Sequence, residues 1–82
     1  MHVEIITPDK KVFAGEVSAA TFPGTNGSFQ VLNDHAPLVS TLGKGDVILS
    51  ANGTKTTYTV DGGVVEVLKN NILVLAEAVV VA

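Results

Sequence analysis

The chain has 82 residues, 46% hydrophobic and 16% charged, with a formal net charge of −3, five basic residues that are all lysine, and no cysteine. These values predict one small domain over residues 1–82. They exclude nucleic acid, which needs clustered Arg and Lys, and they exclude disulfides, a thiol nucleophile and Cys-ligated zinc. No apolar run reaches the ~20 residues that span a bilayer, and the start of the chain carries no recognisable targeting signal.

In chain order, Val3, Ile5 and Ile6 around Glu4 predict a first strand, stopped by Thr7-Pro8-Asp9. Val12 to Val17 predicts a second, with Gly15 at a bulge or close backbone approach, and Ala19 to Phe22 a third. From Phe22 to Leu38 the turn chemistry is densest. Pro23 fixes φ, Gly24 and Gly27 permit positive φ, and Asn26-Gly27 is a tight-turn pair, so the chain reverses here before Phe29, Val31 and Leu32 resume an extended run. That run breaks at Asn33-Asp34 and again before Pro37.

Leu38 to Leu42 predicts a further strand and Gly43-Lys44-Gly45-Asp46 a turn, followed by a buried strand at Val47-Ile48-Leu49. Asn52-Gly53 is the strongest hairpin signal in the chain. In the arm after it, Thr57, Thr59 and Asp61 share one face and Tyr58 and Val60 the other, giving a wet side and a packed side. Gly62-Gly63 and Asn70-Asn71 are read as tight turns separating Val64 to Leu68 and Ile72 to Ala76. The end, Ala78 to Ala82, is apolar and uncharged, and as an open edge it would invite association.

No segment keeps a helical 3.6 period, and β-branched residues prevail where helix formers would be needed. The fold class is therefore all-β: an antiparallel β-sandwich or flattened barrel of about ten short strands. Charged residues fall well below the average of about 25%, so part of the surface is expected to meet a partner.

Catalytic chemistry is not expected. His2 and His35 have no second ligand at metal-binding spacing, and Asp34 beside His35 reads as a turn residue. The stretch from Gly24 to Ser28 lacks the Gly-Lys-Ser/Thr ending of a phosphate loop, and no serine sits in a nucleophile elbow. No catalytic residue, metal ligand or cofactor site is assigned. This leaves a binding module or a carrier module. The carrier alternative is a lipoyl- or biotinyl-like domain with Lys44 as its attachment site on a hairpin tip, although its flanks lack that family's Asp-Lys or Met-Lys-Met signature.

Ile6 to Val17, Phe22-Pro23-Gly24 with Gly27, His35-Ala36-Pro37-Leu38, Gly45, Gly62-Gly63, Glu66-Val67 and Val74 to Glu77 carry a likeness in their order and intervals. With them the chain resembles the N-terminal β-sandwich of the epsilon subunit of the rotary ATP synthase, from near its first residue to near its last. The resemblance implies a non-catalytic rotor subunit that links the gamma subunit to the membrane c-ring for rotational coupling. It implies a peripheral position on the cytoplasmic face of a bacterial inner membrane, or the stromal face of a thylakoid, without membrane insertion.

By the same resemblance the c-ring contact falls on Gly24, Thr25, Asn26, Gly27, Ser28 and Phe29, and the gamma contact on His35, Ala36, Pro37, Leu38 and Ser40. Many members carry an acidic residue at the place of Ser28 and glycines at the places of Gln30 and Asp34. A ring contact here would then rest on hydrogen bonds in place of a carboxylate. The family usually continues into a C-terminal helical hairpin that inhibits ATP hydrolysis and in some members binds ATP. This sequence ends at Ala82, so inhibition and nucleotide sensing are not expected of it.

Overall fold

The computed structural model describes residues 1–81, and among them every regular element is a strand. Eight strands follow in order: β1 His2–Ile6, β2 Lys11–Glu16, β3 Ala19–Gly24, β4 Gly27–Leu32, β5 Leu38–Ala51, β6 Thr54–Leu68, β7 Asn71–Ala76 and β8 Val79–Val81. They form one sheet ordered β2-β1-β7-β6-β5-β3-β4, with β8 on β6. All pairings are antiparallel except β1 with β7, which run parallel, so the sheet is mixed.

The all-β class stands, and the lower strand count has a physical cause. The expected turn at Gly43-Lys44-Gly45-Asp46 and the expected break at Gly62-Gly63 are both interior to strands. β5 has 14 residues and β6 has 15, and they stay paired without a register slip from Leu38↔Val67 to Ala51↔Thr54. The glycines mark where this long ribbon bends. Buried positions in β5 switch from Leu42 to Val47 and Leu49, and in β6 from Tyr58 and Val60 to Val65 and Val67, so the in/out alternation changes phase across the glycine pairs.

Each long strand therefore serves two layers. The stretch of β6 before the glycines pairs with β8, and the stretch after them pairs with β7. One layer contains β4, β3 and β8 with residues 44–51 of β5 and 54–61 of β6. The other contains β2, β1 and β7 with residues 38–42 and 63–68. The layers meet face to face, as the tilted contact between Phe13 of β2 and Tyr58 of β6 records at 5.9 Å between ring centroids.

Gly63 is obligatory at this bend. Its φ is 146°, and a Cβ there would lie 2.3 Å from the carbonyl oxygen of Leu75. Gly45 permits close approach, because a Cβ would lie 2.8 Å from Cβ of Pro23. The Asn52-Gly53 hairpin forms as expected, with φ of 52° and 77° at its two residues, the signature of the turn that matches strand twist. Two other turns move by one residue: Thr25-Asn26 joins β3 to β4, and Lys69-Asn70, with φ of 49° and 63°, joins β6 to β7.

The core is made by alternation. Val3 and Ile5 of β1 face Ile72 and Val74 of β7, Val65 and Val67 of β6 extend the row, and Phe22, Val31, Val47, Leu49 and Val60 come from the other layer. Each such side chain contributes roughly 1.5–3 kcal/mol by leaving water. Thr57, Thr59 and Asp61 lie on the wetter side, opposite Tyr58 and Val60, as expected from their spacing. The Met1 amine donates hydrogen bonds to the carbonyl oxygen of Val17 at 3.1 Å and to Oδ1 of Asn33 at 3.0 Å. β8 is paired on one side by β6, and Ala82 lies outside the described residues.

Candidate functional site

The tip between β3 and β4 is held from below and from the side. Phe29 rests against the buried ring of Phe22, with centroids 5.6 Å apart. The Thr25 amide donates to the Thr41 carbonyl at 3.2 Å, and the hydroxyls of Thr25 and Thr41 lie 2.8 Å apart. Gly24 leaves no room for a side chain, since a Cβ would meet the Gly27 carbonyl oxygen at 2.7 Å. Thr25, Asn26, Gly27 and Ser28 are exposed, whereas Gly24 and Phe29 are half-buried. The tip offers hydroxyls, an amide and free main chain, with no charge.

The segment from Asn33 to Pro37 is fixed by turn geometry. Asp34 adopts φ of 60° and its amide donates to Oδ1 of Asn70 at 3.0 Å, while the His35 amide donates to the Leu32 carbonyl at 3.2 Å. His35 Nδ1 lies 2.7 Å from the Ala36 carbonyl oxygen, so that nitrogen carries the ring hydrogen. His35, Ala36 and Pro37 are exposed. Leu38 is half-buried against the core and Ser40 is half-buried with its hydroxyl donating to the Thr41 carbonyl at 3.2 Å. A charge at 38 would therefore test folding before it tested binding.

These two segments lie at opposite ends of the β3–β4 ladder. Gly24 pairs with Gly27 at one end and Ala19 with Leu32 at the other, five residue steps apart, or roughly 17 Å of strand. The same sandwich thus presents two separate exposed segments, one at each end.

A third surface escaped the sequence reading. The outer face of the layer holding β1 and β7 carries Val39 at 70% exposure, Leu75 at 49%, Leu68 at 48% and Val64 at 38%. Register joins them: Val39 pairs with Glu66 and Glu66 with Leu73, while Val64 pairs with Leu75 and Leu75 with Ile6. The available signal was that Val64 to Leu68 and Ile72 to Ala76 are apolar at nearly every position, the pattern of a strand covered on both faces. The outer face of the other layer is mixed: Ser28, Gln30, Thr21, Thr57 and Thr59 share it with Ile48 and with the exposed Leu32 and Val80.

On the face carrying Val64 and Leu75, Lys11 Nζ donates to Glu4 Oε1 at 2.8 Å. That hydrogen bond and the lysine's charge hold the Glu4 carboxyl below its ordinary 4.5, with desolvation opposing and the nearby His2 adding slightly. His2 Nδ1 lies 2.9 Å from Glu16 Oε2. Lys44 is exposed but sits mid-strand opposite Asp61, not on a hairpin tip, which removes the geometric basis of the carrier reading.

Comparison with known proteins gives a single answer. The family model described as ATP synthase, Delta/Epsilon chain, beta-sandwich domain matches residues 1–82. An ATP synthase epsilon chain of Chlorobaculum tepidum is 42% identical over 78 residues, covering 94% of this chain and 89% of that one. An epsilon chain of Nitratidesulfovibrio vulgaris is also 42% identical, but there the match covers 95% of this chain and 58% of the relative, so this sequence spans little more than half of it. A chain in the Euglena gracilis mitochondrial ATP synthase structure, which contains OSCP, F1 and the c-ring, superposes with a TM-score of 0.90 at 23% identity, covering 96% of this chain and 51% of that chain. A chain in the central stalk and c-ring structure of the Tetrahymena thermophila enzyme gives 0.83 at 18% identity, over 98% of this chain and 65% of that one. At those identities the structural likeness is one of fold.

Proposed function

Because this chain belongs to the delta/epsilon β-sandwich family of the ATP synthase, we propose that it is a non-catalytic central-stalk subunit linking the gamma subunit to the c-ring. It acts as a single β-sandwich domain over residues 1–82. Its work is mechanical: it transmits rotation between ring and shaft through packed surfaces, in a complex peripheral to the membrane. The Thr25-Asn26 tip meets the ring through hydroxyl, amide and main-chain hydrogen bonds, and the segment from His35 to Ser40 meets gamma.

The observation that carries this reading is the position of two exposed, internally braced segments at opposite ends of one sandwich. A coupling element needs two contacts that do not compete for the same surface, held by a body that does not shear between them. The test uses the assembled synthase with a photo-crosslinking side chain at Asn26 or at Pro37. The expected result is capture of a c-ring subunit from position 26 and of gamma from position 37. Capture of the same subunit from both positions, or of neither partner, overturns the assignment.

A further inference from the structure

Of the five asparagines, three have their carboxamides engaged. Asn33 Oδ1 accepts from the Met1 amine at 3.0 Å, Asn70 Oδ1 accepts from the Asp34 amide at 3.0 Å, and Asn71 Nδ2 donates to the Lys69 carbonyl at 3.0 Å. Among the described residues the carboxamides of Asn26 and Asn52 make no hydrogen bond, both residues are exposed, and each is followed by glycine. Glycine has no Cβ to shield its own nitrogen, and a Cβ built at Gly27 or Gly53 would meet nothing within 4 Å. At both places an amide nitrogen is open to the carboxamide carbon of the residue before it.

The two pairs differ in what holds that nitrogen. Asn26 is the second residue of its two-residue turn, so Gly27 closes the turn onto Gly24, with the closing bond running from the Gly27 amide to the Gly24 carbonyl. Thr25 is tied to Thr41 besides, through main chain and hydroxyl. Asn52 is the first residue of its turn and Gly53 the second. There Thr54 closes the turn onto Ala51, and the Gly53 amide makes no hydrogen bond among the described residues. A shift of one position in the turn leaves one nitrogen free and occupies the other.

We propose that Asn52 is a self-modification site. The Gly53 nitrogen forms a bond to Cγ of Asn52, the bond from Cγ to Nδ2 breaks, and the Gly53 proton, carried by water, leaves on Nδ2 as ammonia. The product is a succinimide ring. Water then opens it at either carbonyl carbon, with no oxidation or reduction. Breaking the bond from the Gly53 nitrogen to Cγ gives aspartate with the main chain unchanged; breaking the bond to the main-chain carbonyl carbon gives isoaspartate, in which the chain runs through the side chain. This chemistry does not depend on the partners assigned above.

The two products differ in consequence. Asp-Gly suits the same turn, so aspartate keeps the closing pair of Ala51 with Thr54 and adds a negative charge on the rim of a hollow that already carries Glu16. Isoaspartate adds a carbon to the main chain of a two-residue loop, at the turn that sets the register of the β5–β6 ribbon, and frays that closing pair. Asp61-Gly62 lies within the ribbon opposite Lys44 and has no carboxamide, so any isomerisation there releases no ammonia and changes no mass.

The experiment incubates the full chain at mildly alkaline pH and follows each Asn-Gly pair by peptide mapping with mass spectrometry, counting isoaspartate with an isoaspartyl methyltransferase. A parallel sample in urea supplies the intrinsic rate of each pair. The folded rate at Asn52, relative to its rate in urea, is expected to exceed the same ratio at Asn26 on the order of tenfold, because a bonded amide must first be released. Asn52→Gln is expected to remove most of the isoaspartate of the folded chain, and the isoaspartate form, separated by ion exchange, to show faster hydrogen exchange at the Thr54 amide. Equal ratios at the two pairs, or a larger one at Asn26, overturn the proposal. So does an unmodified Asn52 in the folded chain after a time that converts it in urea, or isoaspartate that persists in folded Asn52→Gln.

Discussion

The hydroxyls of Thr25 and Thr41 lie 2.8 Å apart, tying the β3–β4 tip to β5 on the neighbouring stretch of sheet. With the main-chain bond from Thr25 to Thr41 beside it, this makes the tip part of the sandwich body and not a swinging loop. Replacing Thr41 by Val keeps the shape and removes the hydroxyl. The expected cost is about 0.5–1.5 kcal/mol, at the low end because the pair is exposed. Hydrogen exchange should quicken at the amides of Asn26 and Gly27 while the core amides of β1 and β7 stay protected. Unchanged exchange at the tip would show that the hydroxyl pair does not brace it.

Two glycines at the bend of the long ribbon should respond in opposite ways to alanine. At Gly63 both the positive φ and the carbonyl oxygen of Leu75 oppose a Cβ, so Gly63→Ala should lose at least about 1–3 kcal/mol from backbone strain alone. At Gly43 the nearest obstacle to a Cβ is the Pro23 carbonyl oxygen at 3.8 Å and φ is not positive. Gly43→Ala should be neutral or gain about 0.4–1 kcal/mol by restricting the unfolded chain. Urea melts of both variants decide it. Equal losses would mean that residue 43 sits in a turn.

The Glu4–Lys11 pair sets an acid-side dependence. The Glu4 carboxyl is held below 4.5 in the folded chain, first by the Lys11 hydrogen bond and then by its charge. A depressed folded value means that the pair's contribution is complete above the unfolded pKa and is lost as pH falls through the folded one. Lys11→Met should raise the Glu4 titration midpoint, followed by NMR at its carboxyl carbon, and flatten the dependence of stability on pH below 4.5. An unmoved midpoint would refute the pairing in solution.

Period-two alternation was enough to read the core from the sequence. Tyr58 and Val60 against Thr57 and Thr59, and Val3 and Ile5 around Glu4, fall as their spacing requires. The glycines misled for a physical reason: Gly43, Gly45, Gly62 and Gly63 have the residue type of a turn, but here they bend a paired ribbon whose hydrogen bonds continue across them. No local signal separates those cases, because the difference lies in the partner strand. The stretch from Phe22 to Leu38 was legible as shaped turn chemistry, and the structure adds that its exposed residues 25–28 and 33–37 occupy opposite ends of the β3–β4 ladder, while Ser40 lies back beside Thr41 and the tip. The apolar face around Glu66 went unread because apolar residues at nearly every position of β6 and β7 do not say which side is covered, and only the register and exposure show that one side is open.

The parallel pairing of β1 with β7 constrains the order in which the fold can be completed. β1 runs from His2 to Ile6 and its inner neighbour from Asn71 to Ala76, so β1 takes its place in the sheet beside a strand synthesised only after β2 to β6. Until Ile72 and Val74 exist, Val3 and Ile5 have no cross-strand partners on that side, and the β1–β2 hairpin can bury only what its own two strands cover. The β5–β6 ribbon, by contrast, closes on itself at Asn52-Gly53 and needs no distant segment. On a growing chain the N-terminal hairpin is a part held in waiting. It docks only onto an edge that β7 creates, and a nascent chain stopped before Asn71 would carry the apolar sides of β1 in water.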